Sequence, residues 1–356
     1  MTPALQRPLL LNPAWEDVAV PLAAAVGSLL VFGLFCLVMG ASPASVYASI
    51  YTAGFGSWYS WQNTLVRAAP LMLCGLCTAL PARAGIITVG NEGAFVIGGL
   101  AAIAMGLAAQ KAPAPISLLA MVLAGGVAGG LWLMIPAALQ HYRGVNAVIG
   151  SLLLDYIGIA ILLQVVEGPL RDPGSLNFPA TYALDPSHML GNLPGTRVHW
   201  GLAFGLAACA AAWFLMEHTV WGMKIKVAGG NARTARLVGL PLGRLVLTAA
   251  FLGGACAGLA GMVEVAAVHG RASQAISAGY GYVGILVAFL ARQSPLRVIV
   301  VSLLIGGLLA SGGMLQRLLN LPDATIAVFQ GMIFLIILAS EALYGRLRIF
   351  GEARDV

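Results

Sequence analysis

Residues 81–93 read PARAGIITVGNEG, a glycine-rich stretch that lies between two long apolar runs, 64–80 and 91–109. A second stretch of this kind, residues 270–284, reads GRASQAISAGYGYVG and also leads into an apolar run. Glycine in a helix interior costs stability, so we expect neither stretch to be continuous helix. Broken backbone at bilayer depth is tolerated only where it faces protein or a cavity. The two stretches therefore predict a pair of interrupted helices inside a membrane protein.

The composition of the whole chain supports the membrane setting. Of its 356 residues 60% are hydrophobic and 9% are charged, whereas about 25% of residues are charged in ordinary soluble domains. A membrane helix needs about 20 apolar residues, and the mean hydropathy of +0.91 leaves room for about ten. The ten candidate spans are 19–40, 64–80, 91–109, 115–139, 145–166, 200–216, 245–268, 280–291, 298–315 and 324–344. We expect an all-α, polytopic membrane protein with a single transmembrane domain, residues 1–356.

The distribution of basic residues predicts the orientation. With a cytoplasmic N-terminus, the inner loops and ends would contain 13 of the 19 Lys and Arg residues, and such an excess is typical of the cytoplasmic side. We therefore expect both termini and the loop 217–244 to be cytoplasmic, and the polar loop 167–199 to be external. That external loop could be a docking or capping loop, or it could take no part in function. The 13 residues are Arg7, Arg83, Arg143, Lys224, Lys226, Arg233, Arg236, Arg244, Arg292, Arg297, Arg346, Arg348 and Arg354.

The two halves of the chain show a weak internal similarity. Residues 87–91 (ITVGN) and 276–280 (ISAGY) both precede an apolar helix. Since each half has five spans, a duplicated second half would be inverted in the membrane, as in many transporters. Small residues favour close helix packing. The overlapping pairs Gly125/Gly129 and Gly126/Gly130 and the separate pair Gly254/Gly258 predict such packing, either within one subunit or at a dimer seam.

Three carboxylates lie at predicted membrane depth, namely Glu92, Asp155 and Glu264. A charge at the bilayer centre costs about 2.5–3.5 kcal/mol on insertion scales, so each calls for a pathway or a partner. Asn91 and Glu92 stand at the start of a half-helix whose N-terminal amides could also bind a polar solute. For each of these side chains two interpretations stay open: it lines a translocation pathway, or it braces neighbouring helices.

Enzymatic, metal and nucleic-acid functions find little support. None of the three lysines follows Gly and precedes Ser or Thr, so the chain has no P-loop and is not expected to hydrolyse ATP itself. The five cysteines lie in apolar runs and imply no disulfide framework. Cys74 and Cys77 form a CxxC that could be simple helix packing or, less plausibly, a metal or redox pair. Basic residues are scattered, which does not indicate nucleic acid. We expect no bound cofactor and no metal.

The cytoplasmic loop contains a short capped helix. Asn231 is a good N-cap, residues 232–238 can form two turns, and Gly239 can end them. Arg233 and Arg236 share one face, and small residues share another. Such a helix suits docking into a groove of a cytosolic protein, although a basic loop that only sets orientation would look similar.

Taken together, these motifs resemble the permeases of bacterial ABC importers, in the branch that contains ribose, branched-chain amino acid and nucleoside systems. Within it the chain is most similar to the simple-sugar/nucleoside permeases, and the resemblance covers residues 68–343. The motifs are 81–93, Asn146 with Asp155 and Tyr156, Gly229-Gly230-Asn231 through Gly239, and 279–284 with 292–295. Relatives often have an acidic residue where Val283 stands and Phe-Asn where Ile87-Thr88 stand.

The resemblance implies a fold, partners and residue roles. It implies a fold like that of the vitamin-B12-type importer permeases, with two permeases, homologous or identical, around a central pathway. Partners would be a cytosolic ATP-binding cassette subunit that uses ATP and an extracytoplasmic solute-binding protein. The coupling residues would be Gly229, Gly230, Asn231, Arg233, Arg236 and Gly239. Independently of the resemblance, the candidate pathway residues are the polar and charged side chains of the spans and their ends, Asn91, Glu92, Asn146, Asp155 and Glu264. The solute would be a nucleoside, a purine-type compound or a simple sugar, and the location the bacterial inner membrane. The main alternative is an ion-driven secondary transporter that uses Glu92 or Asp155 as its proton site.

Overall fold

The computed structural model describes residues 16–175, 178–322 and 324–343, and these residues are almost entirely helical. About 78% of the described residues are helical, and their extended backbone forms only isolated bridges. The termini, including Arg7, Arg346, Arg348 and Arg354, lie outside the described residues. The helices are α1 Glu16–Val38, α2 Pro43–Phe55, α3 Trp58–Arg83, α4 Asn91–Ala108, α5 Ala114–Arg143, α6 Ala147–Glu167, α7 Gly201–His218, α8 Val220–Gly230, α9 Ala232–Leu237, α10 Leu242–Val263, α11 Tyr280–Leu290, α12 Pro295–Leu319 and α13 Ala324–Leu343.

Seven of these helices are long and apolar enough to cross a membrane, and the bent pair α1–α2 makes up to eight. Each of the ten predicted spans coincides with a helix, but α11 has only 11 residues and is too short to cross alone. The sequence analysis missed α2. Its Ser, Thr and Tyr side chains lower its hydropathy, and it is bent by 115° from α1 after Gly40, whose φ is +76°.

The chain divides into two compact units. The first comprises α1, most of α2, the end of α12 and α13. In it the rings of Phe32 and Phe329 stack with centroids 4.0 Å apart, and the Tyr47 hydroxyl donates to the carbonyl of Leu29. The second unit, residues 54–310, contains all the predicted functional residues. The single transmembrane domain of residues 1–356 stays a prediction.

The core of the second unit is built on glycine contacts between α4, α5 and α10. A Cβ added to Gly258 would lie 2.0 Å from the Gly125 carbonyl oxygen, and one on Gly254 would lie 2.3 Å from that of Gly129. On α4, a Cβ at Gly98 would lie 2.2 Å from the Gly258 Cα. Backbone therefore packs directly on backbone, as small residues allow in membrane helices. The predicted Gly-xxx-Gly pairs of α5 and α10 therefore pack against each other within one subunit.

The polar loop 167–199 is attached to the segment that follows α10. Backbone N–H groups of Leu190, Leu184 and Thr181 donate to the carbonyls of Ala266, Gly270 and Ala272 at 2.8–2.9 Å. The loop thereby caps a π-helical turn, Glu264–His269, whose irregular backbone leaves carbonyls free for such bonds. Of the two interpretations of this loop, a capping role within the chain has direct support from these bonds.

Candidate functional site: the junction of two broken helices

Helices α4 and α11 begin next to each other, and Glu92 joins them. Both glycine-rich stretches are interrupted as predicted: α3 ends at Arg83 and α4 begins at Asn91, while α11 begins at Tyr280 after a non-helical segment. The Glu92 carboxylate accepts hydrogen bonds from the backbone N–H of Gly281 at 2.7 Å and of Gly279 at 3.0 Å, and from the Ser277 hydroxyl at 3.3 Å. Glu92 is fully buried. A carboxylate between two helix N-termini lies where the helix dipoles favour negative charge.

Asn91 fastens the same junction to α3. Its amide nitrogen donates to the Thr78 hydroxyl at 2.6 Å and lies 3.3 Å from the carbonyls of Cys74 and Gly281. The Cys77 thiol donates to the Asn91 side-chain oxygen at 3.2 Å. Asn91 is fully buried, so every contact it makes is internal to the subunit. In the described conformation its side chain braces α3, α4 and α11.

Glycine at position 281 is required by this arrangement. A Cβ there would lie 2.4 Å from the Glu92 backbone nitrogen and 2.5 Å from its Cα. Gly284 has a similar constraint, since a Cβ would lie 2.5 Å from the Cβ of Cys74 on α3. The glycines that predict an interruption of the helix thus also allow the start of α11 to pack against α4 and α3.

Asp155 is buried on the inner face of α6 and holds the first turn of α4. Its Oδ1 accepts from the Gly93 backbone N–H at 2.7 Å. Its Oδ2 has no hydrogen-bond partner among the described residues, although the Tyr282 hydroxyl lies nearby. The Trp132 indole nitrogen is also unpaired there, and a Cβ on Gly93 would lie 2.8 Å from both it and Asp155 Oδ1. One oxygen of this carboxylate is therefore not committed to bracing.

Glu264 lies apart from the junction, in the first position of the π-helical turn. Its Oε1 is 3.6 Å from Nδ1 of His269, and Arg67 of α3 is within electrostatic range of it. Asn146, the remaining predicted pathway residue, caps α6 by accepting from the Val148 N–H at 2.9 Å and is exposed. The structure thus brings Asn91, Glu92 and Asp155 together and leaves Glu264 and Asn146 elsewhere.

The predicted capped helix is present as α9. The Asn231 side chain accepts from the N–H groups of Arg233 and Thr234 at 2.9 and 3.1 Å, and Gly239 has a φ of +78°. Arg233 and Arg236 are exposed. The small-residue face is only partly as expected: Ala235 is buried within the chain, whereas Val238 is 70% exposed. The outer surface of α9 is therefore mixed basic and apolar.

A network that the sequence analysis did not identify connects α8 to the segment between α3 and α4, residues 84–90, which we call the first broken segment. The guanidinium of Arg83 donates to Glu217 at 2.8 Å and to the Gln293 carbonyl at 3.0 Å, and Lys226 of α8 pairs with the same Glu217. Gly229 lies against residues 83–85, where a Cβ would be 2.1 Å from the Arg83 carbonyl oxygen. Arg83 and Lys226 had been noted only as orientation signals.

Cys74 and Cys77 are buried, and the Cys77 thiol donates a hydrogen bond to the Asn91 side chain. Among the described residues no group of three His, Cys, Asp or Glu side chains is placed to hold a metal ion. The CxxC therefore has a packing and hydrogen-bonding explanation.

Helices long and apolar enough to span a membrane, two interrupted helices that meet at Glu92 and a short capped basic helix are together typical of a class of protein, the multi-pass transport permeases. The chain belongs to the family described as branched-chain amino acid transport system / permease component, whose model matches residues 60–338. It is the membrane-spanning permease subunit of an ABC transporter, and in such transporters ATP is hydrolysed by a partner subunit. The predicted family and subunit type are confirmed.

Three curated relatives align over almost the whole chain. A glucose ABC transporter permease of Haloferax volcanii is 31% identical over 92% of this chain and 89% of its own length. A guanosine ABC transporter permease of Bacillus subtilis is 28% identical over 91% and 94%. A nucleoside ABC transporter permease of Lactococcus lactis is 24% identical over 92% and 94%. The family works in general with an ATP-binding subunit and a solute-binding protein.

Glu92 can be tested by removing its charge. In Glu92→Gln one acceptor oxygen becomes an amide donor that faces backbone N–H groups, and a buried donor left unpaired costs about 1–3 kcal/mol. We expect a lower melting temperature of the detergent-purified protein, and Glu92→Ala should lower it further. Glu167→Gln, an exposed change at the end of α6, is the control and should melt like the unchanged protein. Equal melting of Glu92→Gln and the control would contradict the bracing role.

Alanine substitutions at Gly229 and Gly230 test the contact between α8 and the first broken segment, with Gly230 as the matched control. Gly229→Ala would force its Cβ against the Arg83 carbonyl, and such overpacking costs about 1–3 kcal/mol. Nothing lies within 4 Å of a Cβ at Gly230. We expect Gly229→Ala to lower the melting temperature and Gly230→Ala to leave it unchanged or raise it. The same response from both variants would show that the contact is not formed.

Proposed function

We propose that this chain is the pathway-forming permease of a bacterial inner-membrane importer for a small neutral polar solute, either a nucleoside or purine-type compound or a simple sugar. Support comes from the glucose, guanosine and nucleoside permeases that align over most of the chain. The junction at Glu92 supports a transport role independently, because interrupted helices are costly in a bilayer unless they line or brace a pathway.

The proposed architecture has ten membrane-crossing segments in two inverted repeats of five, with both termini cytoplasmic, as in vitamin-B12-type importer permeases. Each of the ten predicted spans coincides with a helix, and the short α11 would cross together with the non-helical segment before it. The two most similar stretches of the halves both precede a half-helix, α4 and α11, and these start side by side with Gly90 and Gly279 as their N-caps. A second permease, identical or homologous, would complete the pathway.

We propose a division of roles among the predicted pathway residues. Asn91 and Glu92 hold the junction, since both are fully buried and hydrogen-bonded within the subunit. Asp155 supports α4 and keeps one oxygen available beside Tyr282. Glu264 faces the pathway at its outer end. Asn146 acts as the cap of α6 and is not itself expected to touch solute.

Coupling to ATP would pass through α9. Its exposed Arg233 and Arg236, with the neighbouring Leu237 at 84% exposure, offer a mixed basic and apolar surface to the ATP-binding subunit. Gly229, which precedes α9, contacts residues 83–85. The chain then reaches Asn91, the first residue of α4, six residues after Gly85. Movement of α9 would therefore reach the Glu92 junction through backbone contacts. Gly230, Asn231 and Gly239 would keep the short helix in position.

The solute-binding protein would dock at the external loop 167–199. The loop is fixed to the end of α10 by backbone hydrogen bonds and presents Phe178, which is 86% exposed, and Tyr182. These exposed rings could serve as contacts for the binding protein.

Reconstitution tests the proposed function. In sealed vesicles containing this chain, its second permease and its ATP-binding subunit, we expect uptake of guanosine or glucose only when ATP and the binding protein are supplied. The permease alone should accumulate neither compound, with or without a proton gradient. Concentrative uptake by the permease alone under a proton gradient would instead support the ion-driven transporter that uses Asp155 or Glu92.

Arg236→Glu tests the coupling surface. Reversal of this exposed charge should weaken the contact with the ATP-binding subunit, so uptake by the assembled transporter should fall at least about tenfold, which corresponds to about 1.4 kcal/mol. Arg143→Glu, an equally exposed reversal at the end of α5, should retain uptake. Both variants should reach the membrane in equal amounts on immunoblots. Full transport by Arg236→Glu would refute the coupling assignment.

A further inference from the structure

Arg67 occupies an unusual position on α3. The 14 residues that follow it, Ala68 to Pro81, are all buried, so this part of α3 is surrounded by protein. Arg67 itself is exposed, although it lies nine residues after the start of the helix at Trp58, or about 14 Å along its axis. Charged side chains at membrane depth almost always face the protein interior or a water-filled cavity. The exposed guanidinium therefore marks an aqueous opening beside α3.

Tyr280, Glu264 and His269 connect this guanidinium to two other elements. It lies against the hydroxyl of Tyr280 at the start of α11 and within electrostatic range of Glu264 in the π-helical turn. His269 ends that turn, with its Nδ1 3.6 Å from the Glu264 carboxylate. We call Arg67, Glu264, His269 and Tyr280 the Arg67 cluster. π-Helical turns occur frequently at functional sites because they re-aim side chains.

The cluster is reachable, unlike the carboxylates of the junction. The His269 side chain is 27% exposed and that of Glu264 is 7% exposed, while Arg67 is exposed. Glu92 and Asp155, in contrast, have no exposed surface. A solute that enters the opening beside α3 would therefore meet the Arg67 cluster without any rearrangement of the junction.

The chemistry of the cluster selects a class of solute. Arg67 supplies several N–H donors in a planar fork, Glu264 supplies carboxylate acceptors, and His269 and Tyr280 can do both. Neighbouring hydroxyl groups on a ring match this set, because each hydroxyl can accept from the guanidinium and donate to the carboxylate. A free anion would be repelled by Glu264 and a free cation by Arg67. The paired charges thus favour a neutral, hydroxylated solute.

We propose that the Arg67 cluster is a solute-binding subsite in the outer part of the pathway, and that it recognises vicinal hydroxyl groups such as those of ribose or a hexose. The assignment rests on the proposed import function and names the part of the solute that this chain itself contacts. It adds Arg67, His269 and Tyr280 to Glu264 as pathway residues.

The first experiment compares solutes with and without the hydroxyl pair. In vesicles with the complete importer, the KM for uptake is measured for guanosine and for 2′,3′-dideoxyguanosine, in the unchanged protein, Arg67→Gln and Glu264→Gln. The binding protein is the same in every experiment, so its own preference between the two solutes does not differ among the permease variants. This preference therefore cancels when the KM ratio of a variant is compared with that of the unchanged protein. We expect both variants to reduce the preference for guanosine about tenfold, the effect of a lost hydrogen bond to a charged group.

Arg317→Gln, at an exposed arginine outside the cluster, is the matched control and should keep the preference unchanged. A merely structural role of Arg67 would lower uptake of both solutes together and leave the ratio unaltered, which would overturn the subsite. If the unchanged importer takes up neither guanosine nor its dideoxy analogue, glucose and 2,3-dideoxyglucose, which has no adjacent hydroxyl groups, replace them. If ATP-dependent uptake of all four is absent, the proposed function fails, whereas uptake with an unaltered ratio refutes only the subsite.

A second measurement does not depend on transport. In Arg67→Cys the new thiol should react with a charged, membrane-impermeant methanethiosulfonate added outside intact cells, above the background from the native cysteines. Leu119→Cys, at an exposed apolar position of α5, should stay unlabelled because charged reagents do not enter lipid. Guanosine added to cells with the complete importer should slow labelling at position 67. A lack of labelling at position 67 would show that no aqueous opening reaches α3, and would overturn the proposal.

Discussion

The carboxylate of Glu92 between the starts of α4 and α11 is the interaction on which the second unit depends. A short helix such as α11 leaves unpaired N–H groups at its beginning, and in a bilayer no water is available to satisfy them. Glu92 accepts from two of these groups and adds its charge to the positive ends of both helices. The cost of a buried carboxylate and the cost of a broken helix therefore offset each other. Neither feature would be stable alone, which explains why the glycines at 279 and 281 and the acid at 92 occur together.

The junction is also where contacts from both ends of the unit converge. On one side, the segment that leads to Glu92 begins at residues 83–85, which Gly229 of α8 contacts and which Arg83 ties to Glu217 and Gln293. On the other side, the segment that leads to α11 is hydrogen-bonded at Gly270 and Ala272 to the polar loop. A binding event at either surface would thus act on the same pair of helix starts. This continuity is a physical route for coupling, and two distinct states of the junction are what a demonstration of coupling would require.

Local chemistry made part of this structure predictable. The helix breaks at 81–93 and 270–284 follow from glycine, and the cap of α9 follows from the side chain of Asn231, so both could be inferred without knowing the packing. The contact of Gly229 with Arg83 could not, because it joins residues far apart in the chain and leaves no periodic signal. The same holds for Arg67, which belongs to no motif in the sequence. Its significance depends on the burial of Ala68 to Pro81 and on Tyr280, more than 200 residues away.

The glycine contacts between α4, α5 and α10 limit how the unit can change shape. Where Gly258 meets Gly125 and Gly98, backbone touches backbone, so there is no side chain that could change rotamer to let one helix slide past another. Sliding would separate close-packed surfaces and lose their dispersion contacts. These three helices should therefore move as one body. The change in access must then arise where the packing is looser: at the short α11, at the broken segments on either side of it and at α6, whose outer face is largely exposed. Asp155, on the buried face of α6 with one oxygen unpaired beside Tyr282 of α11, stands at the boundary between the rigid body and the parts that can move.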